Sequence, residues 1–251
     1  MALPTRTRRR SPAGRQDGAG SRWWLWAGLA SAAMAVLFAV LIATDLTASA
    51  PRRLALPKLA GPGVASPSNA AAAGPVSGSW TVGPGSQAGY RVHEVLFGLH
   101  HTAVGRTAKV SGGITISGSE VVAANFTVQM GSVLSDQTGR NVMWQRFIMD
   151  TRTYPQSHFR LTRPIQLGSV PPIGKVVTAR AAGQLTMRGL TRTVVFSIRG
   201  ERVSASEIDL NAAVPIVFAE WKIPNPSFAI AKVGTAGTLE VLLRLVPSKA
   251  S

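Results

Sequence analysis

Across residues 80–246 apolar and polar side chains take turns in short runs, and this period of two restricts the fold more than any other feature of the chain. In residues 122–130, Phe126, Val128 and Met130 fall on one face, and Asn125, Thr127 and Gln129 on the other. That is the pattern of a strand with one buried face. Similar runs occupy 89–92, 107–116, 158–162, 176–187, 193–198, 207–216 and 238–245. Gly112-Gly113, Gly118-Ser119 and Arg188-Gly189 supply turn or bulge positions between them. About eight strands with no long helical period between them predict an all-β antiparallel barrel or sandwich and exclude βαβ units. One stretch departs from the pattern: in 136–149, Val142, Met143, Phe147 and Ile148 gather near one helical face, which predicts a single short helix.

The N-terminal third has a different texture. Residues 23–44 carry no charge, and at about 1.5 Å per residue a helix of that length spans about 33 Å, enough for a hydrocarbon core. Six arginines precede it in residues 1–22 against Asp17 alone, so the positive-inside rule places 1–22 in the cytoplasm and the rest of the chain outside. Trp23, Trp24 and Trp26 sit at the same end, where indoles favour the headgroup layer. The competing reading is a signal peptide cleaved after Ala48-Ser49-Ala50; the length of the apolar stretch and Pro51 favour a retained anchor. Residues 45–79 are rich in Pro, Ala, Gly and Ser and read as a tether, leaving 80–246 as the folded domain and 247–251 as a tail.

Charge and composition narrow the function. The chain has 27 basic residues against 11 acidic ones, a net charge of +16, yet only 15% of its residues are charged. An exported domain with that balance does not meet nucleic acid. With no cysteine, disulfides, thiolate zinc sites, cysteine-ligated clusters and cysteine nucleophiles are impossible. His93, His100, His101 and His158 lack carboxylates at ligand spacing, so they read as surface histidines rather than a metal site. Neither a Gly-x-Ser-x-Gly elbow, a phosphate loop nor a dinucleotide fingerprint occurs, which points to a protein without catalytic residues or cofactor.

Several segments, in order, resemble the YceI-like family of lipocalin-like, polyisoprenoid-binding proteins. They are Trp80-Thr81-Val82, Tyr90-Arg91-Val92-His93-Glu94, Val104-Gly105-Arg106-Thr107 and Val110-Ser111-Gly112. Ser135-Asp136, Gly139-Arg140-Asn141, Tyr154-Pro155 with Phe159, and Gly183-Gln184-Leu185-Thr186-Met187-Arg188-Gly189-Leu190-Thr191 follow, closing with Gly234 and Gly237-Thr238-Leu239-Glu240-Val241. The resemblance implies an eight-stranded antiparallel barrel holding one long amphiphilic chain, an isoprenoid or fatty-acid derivative. Two positions depart from it: Asn141 follows Arg140 where an Asp is usual, and Met187-Arg188 precede Gly189 where Ile-His is usual.

On that reading, Phe126, Val128, Met130, Met143, Phe147, Leu185, Met187, Phe196 and Phe218 line the tunnel, and Arg140, Asn141 and Arg146 meet the headgroup. The same apolar residues would equally form a solid core. Arg140, Arg146, Arg152, Arg160 and Arg163 fit either a phosphate-bearing headgroup or a basic outer surface. Two functions therefore stand: a membrane-tethered carrier of a long-chain isoprenoid or other lipid, and a filled barrel that docks an anionic envelope polymer or a partner protein.

Overall fold

A computed structural model of the chain describes residues 50–56, 76–228 and 230–248. The predicted cytoplasmic tail and membrane span, 1–44, lie outside the described residues, as do 45–49 and 57–75. The domain carries eleven strands: β1 (Gly78–Val82), β2 (Gln87–Leu96), β3 (Leu99–Thr107), β4 (Val110–Ser117), β5 (Glu120–Gln129), β6 (Gln156–Leu161), β7 (Ile165–Gln166), β8 (Val176–Met187), β9 (Leu190–Ser204), β10 (Glu207–Val217) and β11 (Ala231–Pro247). Every pairing is antiparallel.

Closure follows from the length of β11. Its last residues pair with β1, through Leu245↔Val82 and Pro247↔Trp80, while 231–242 pair with β2. The two strands thus share one edge of β11, and β1 passes the sheet on to β4. The ring β1-β4-β5-β6-β8-β9-β10-β11 closes on itself as an eight-stranded barrel. Beyond Thr107 only Ala108 and Lys109 separate β3 from β4, so the β2–β3 hairpin extends the wall below β1 and β4. Closing the sheet removes the unpaired edges that would otherwise invite aggregation.

The barrel has two dissimilar ends. At one lie the β2–β3 tip, the segment 130–155, the β8–β9 turn and the segment 218–230; at the other lie the β4–β5 tip, the loop 167–175 and the β9–β10 turn. The β8–β9 turn needs positive φ at both central residues, which Arg188 (φ 51°) and Gly189 (φ 74°) provide in the sense that matches strand twist. The segment 130–155 holds the predicted helix, α1 (Thr138–Met143), continued by a π-helical turn over Trp144–Ile148.

Inward-facing residues of unequal size explain why the barrel is not solid. One hydrogen-bonded row around the wall reads Ala88, Val241, Ala212, Ile198 and Ala179, with small and branched residues alternating. An eight-stranded barrel is just wide enough for large side chains to meet across it. Alanines cannot reach. Space is left at mid-height between two buried clusters, one around Trp80, Ile114, Ile208 and Leu245, the other around Tyr90, Met149, Met187 and Trp221. Burying a side chain such as Leu245, which is fully enclosed, contributes about 2 kcal/mol.

Close packing also fixes two inward glycines. A Cβ on Gly105 would come within 2.4 Å of the Tyr90 ring across the β2–β3 pair, and one on Gly183 within 2.4 Å of the Phe159 ring. Each ring therefore lies flat on a bare backbone and thickens the wall without crossing the lumen.

Residues 50–56 run across the outer face of β10, β11, β2 and β3. Arg91 donates to Pro51 O (2.7 Å), Asn211 Nδ2 to Leu54 O (2.6 Å), and Arg106 to Arg52 O. Beneath them Arg91 Nε meets Glu240 Oε1 at 2.7 Å, with both side chains almost wholly buried. Satisfied on both sides, this ion pair avoids the penalty of an isolated buried charge.

Candidate functional site

Running through the barrel is a cavity of about 210 Å³. Its wall is built from the inward faces of β4, β5, β6, β8, β9, β10 and β11, and six of the nine sequence-derived tunnel residues line it: Phe126, Val128, Met130, Leu185, Met187 and Phe196. Phe159 and Phe196 meet edge to face with centroids 5.5 Å apart. Ser157 is among the polar residues of the wall, and its hydroxyl is already committed to Thr186 O at 2.9 Å. The chamber offers dispersion contacts and almost no hydrogen bonds, so it suits an alkyl or prenyl chain and not a sugar or nucleotide.

At the helix end the cavity is sealed. Trp144 stacks on Tyr90 (centroids 4.5 Å apart, planes 15° apart), and its indole N–H donates to Met130 O at 2.9 Å. Met130, Val133, Trp144 and Met187 line this end and are all buried. Arg188 pins the seal from outside, donating to Ile148 O at 3.0 Å and to Lys222 O, with its guanidinium 5.9 Å from the Tyr154 ring. The arginine that stands where the family resemblance expects histidine therefore ties two end segments together.

The helix does not present the face its spacing predicts. Met143 and Phe147 point to solvent, 38% and 57% exposed, and Trp144 takes the inward position. The cause is the π-helical turn: Met149 N–H bonds to Trp144 O, five residues back, so the 3.6-residue period fails there. Phe218 packs against the sealed-end cluster but does not line the cavity.

None of the three predicted headgroup residues borders the chamber. Arg140 is held by Glu94 (3.1 Å) and Asp136 (2.9 Å), and so fastens α1 to β2. Asn141 Oδ1 accepts from the Ser135 N–H (2.7 Å) and hydroxyl (2.9 Å), bracing the approach to the helix. Arg146 is exposed, as are Arg152, Arg160 and Arg163. The histidines are engaged locally or lie outward: His93 pairs with Thr102 (3.2 Å) and His158 with Thr127 (3.0 Å). Among the described residues no three His, Asp or Glu side chains are grouped to hold a metal ion.

Toward the other end the lining is mixed: Ile116, Val121, Ile165 and Ile208 are buried, whereas Leu167, Pro171, Val177 and Leu210 are half-buried, and the loop 167–175 borders the cavity there. By strand parity one charged residue among those described, Arg202, faces inward at that level. Arg202 continues the inward parity of Val194, Phe196, Ile198 and Gly200, lies opposite Ile208, and is 6% exposed, with Nε donating to Ser204 O at 3.3 Å. Following that parity past Ile198 would have found it in the sequence. On the outward parity beside it, Glu201 lies opposite Asp209. Burial, and then the Asp209 carboxylate, push the pKa of Glu201 up, with Arg199 pulling it partly back.

The family model of the YceI-like domain matches residues 80–245, the whole barrel from β1 to β11. The chain belongs to the YceI-like family. Among solved structures, a polyisoprenoid-binding domain from Saccharophagus degradans, implicated in plant cell wall breakdown, is 16% identical; the match covers 67% of this chain and 98% of that one, with a TM-score of 0.55. BcnA of Burkholderia cenocepacia is 18% identical over 62% of this chain and 95% of its own, with a TM-score of 0.47. The Campylobacter jejuni YceI protein is 15% identical over 56% and 83%, with a TM-score of 0.42. At 16% identity the S. degradans domain speaks for the fold alone. No curated protein matches the chain.

Proposed function

We propose that this YceI-like barrel carries a long-chain amphiphilic lipid of the isoprenoid class, tail inward, on the outer side of a membrane to which residues 23–44 anchor it, without chemically changing it. The observation that carries the reading is an apolar chamber closed at one end by Trp144 and Tyr90 and bordered at the other by half-buried Leu167, Pro171 and Val177 beside the inward Arg202, where we place its mouth. A blind, dry chamber holds a chain by its length. Arg202 at the mouth gives a phosphate or hydroxyl end a hydrogen-bonding partner, for which a guanidinium fork is suited. Belonging to the YceI-like family, and sharing the fold of the polyisoprenoid-binding domain from S. degradans, supports the same ligand class.

Native extraction of the full chain, followed by mass spectrometry of the co-purified lipid, tests this. Recovery of one prenyl or acyl lipid per barrel is expected. Protein that emerges empty and takes up no prenyl lipid afterwards would defeat the proposal. The anchor has its own test: membrane-fraction protein should survive a carbonate wash, and a soluble product beginning at Pro51 would show a cleaved leader instead.

A further inference from the structure

The loop 167–175 joins β7 to β8 and borders the cavity at the end where the mouth is proposed. Its side chains divide between two roles. Leu167 and Pro171 face the chamber, whereas Val170 (46%) and Ile173 (42%) are exposed, as is Val176 (39%) just beyond the loop. No acid occurs in it, Pro171-Pro172 stiffen its tip, and Gly174 N–H anchors it to Arg202 O at 2.9 Å. Exposed apolar side chains on a stiff, anchored loop have a use only where something apolar meets them.

From this, and resting on the lipid-carrier reading above, we infer that the mouth loop inserts Val170 and Ile173 into the interface of an anionic bilayer, so that lipid passes between leaflet and chamber without crossing water. Three observations single out a bilayer as the occupant. Continuity is the first, because the exposed residues alternate along the chain with the residues that line the mouth. Charge is the second: Arg163, Lys175, Arg180 and Arg199 are exposed around this end against the half-buried Glu120, while Asp209 and Glu201 are buried and Glu207 is paired with Arg244 at 3.1 Å. The surface presented is cationic, as anionic headgroups require. Cargo is the third, since each methylene carried through water lowers the transfer equilibrium about fourfold, so a mouth held away from the membrane could exchange a long chain only very slowly.

The opposite end exposes more apolar side chains: Phe97 and Leu99 at the β2–β3 tip, Leu134, Val142 and Phe147 in the segment 130–155, and Phe228, all 42–57% exposed. Because the chamber is sealed there, docking by that end would keep the mouth away from the leaflet.

Having no cysteine, the chain permits single-site labelling. The full chain is reconstituted in vesicles of phosphatidylglycerol and phosphatidylethanolamine with an environment-sensitive fluorophore on Ile173→Cys or Leu99→Cys. Lipid-borne spin labels should quench the probe at 173 severalfold more than the probe at 99. Quenching at 99 alone, or at neither site, overturns the inference. A second measurement separates it from the carrier reading. The double variant Val170→Asp/Ile173→Asp should load a fluorescent prenyl lipid from vesicles about tenfold more slowly than the wild type, yet load normally from detergent micelles. Equal loading from vesicles rejects membrane docking, whereas failure of the wild type to load by either route rejects the carrier reading and leaves the quenching result to decide docking.

Discussion

The two ends of the barrel are made from the same kind of strand and end in opposite states. At the helix end large rings converge: Tyr90 and Trp144 stack, Trp221 is fully enclosed, and Arg188 ties the covering segments together. At the proposed mouth the inward parity of β8 and β9 reads Val177 and Ala179, then Ile198, Gly200 and Arg202, with a stiff loop beside it. A closed sheet alone decides neither state. Side-chain volume, placed by parity, makes one end a floor and leaves the other for the proposed opening.

The contrast breaks most severely at Trp144. Trp144→Ala removes the ring that floors the chamber and orphans Met130 O, and should cost about 3–5 kcal/mol in a denaturant titration. At the mouth, Arg202→Gln should weaken binding of a prenyl phosphate by about 1.5–3 kcal/mol while leaving an uncharged prenyl chain unaffected, as titration calorimetry with both ligands can measure. Equal losses for the two ligands would assign Arg202 to structure alone. Between the ends, Ala212→Leu adds volume to empty space, so stability should change by less than about 1.5 kcal/mol while lipid occupancy by mass spectrometry falls. A solid interior would reverse those two outcomes.

The smallest effect concerns Glu201. Its folded pKa lies above the ordinary value of 4.5, so its ionised form opposes folding, most fully above the folded pKa. Wild-type stability should therefore gain a contribution as pH falls through the folded pKa toward 4.5. Glu201→Gln should remove that contribution and raise the urea midpoint at neutral pH. An unchanged pH profile would mean that Glu201 is not held in that environment.

Parity was legible in the sequence wherever inward residues are large. The run 122–130 places Phe126, Val128 and Met130 in the chamber wall as its alternation indicates. Where they are small the signal vanishes: β3 turns Ala103 and Gly105 inward, so a nine-residue strand leaves no apolar period and was not anticipated. For the same reason β9 extends past residue 198, because Gly200 and Arg202 follow the inward aliphatics. Trp144 was missed for another reason, since a π-helical turn shifts which residue faces in and a 3.6-residue template selects Met143 and Phe147 instead. The family resemblance located the barrel; it gave no sign that Arg140 and Asn141 are spent on bracing α1.

Residues 50–56 change what the Pro- and Ala-rich stretch can do. With Pro51, Arg52 and Leu54 bound to the outer wall, and Val76 buried in the barrel where its carbonyl accepts from Trp80 Nε1 at 2.9 Å, both ends of the stretch 57–75 belong to the same body. Its length then adds no reach. A leash would have to lie before residue 50. Insertions into 57–75 should therefore leave the reach of the barrel from residue 50 unchanged.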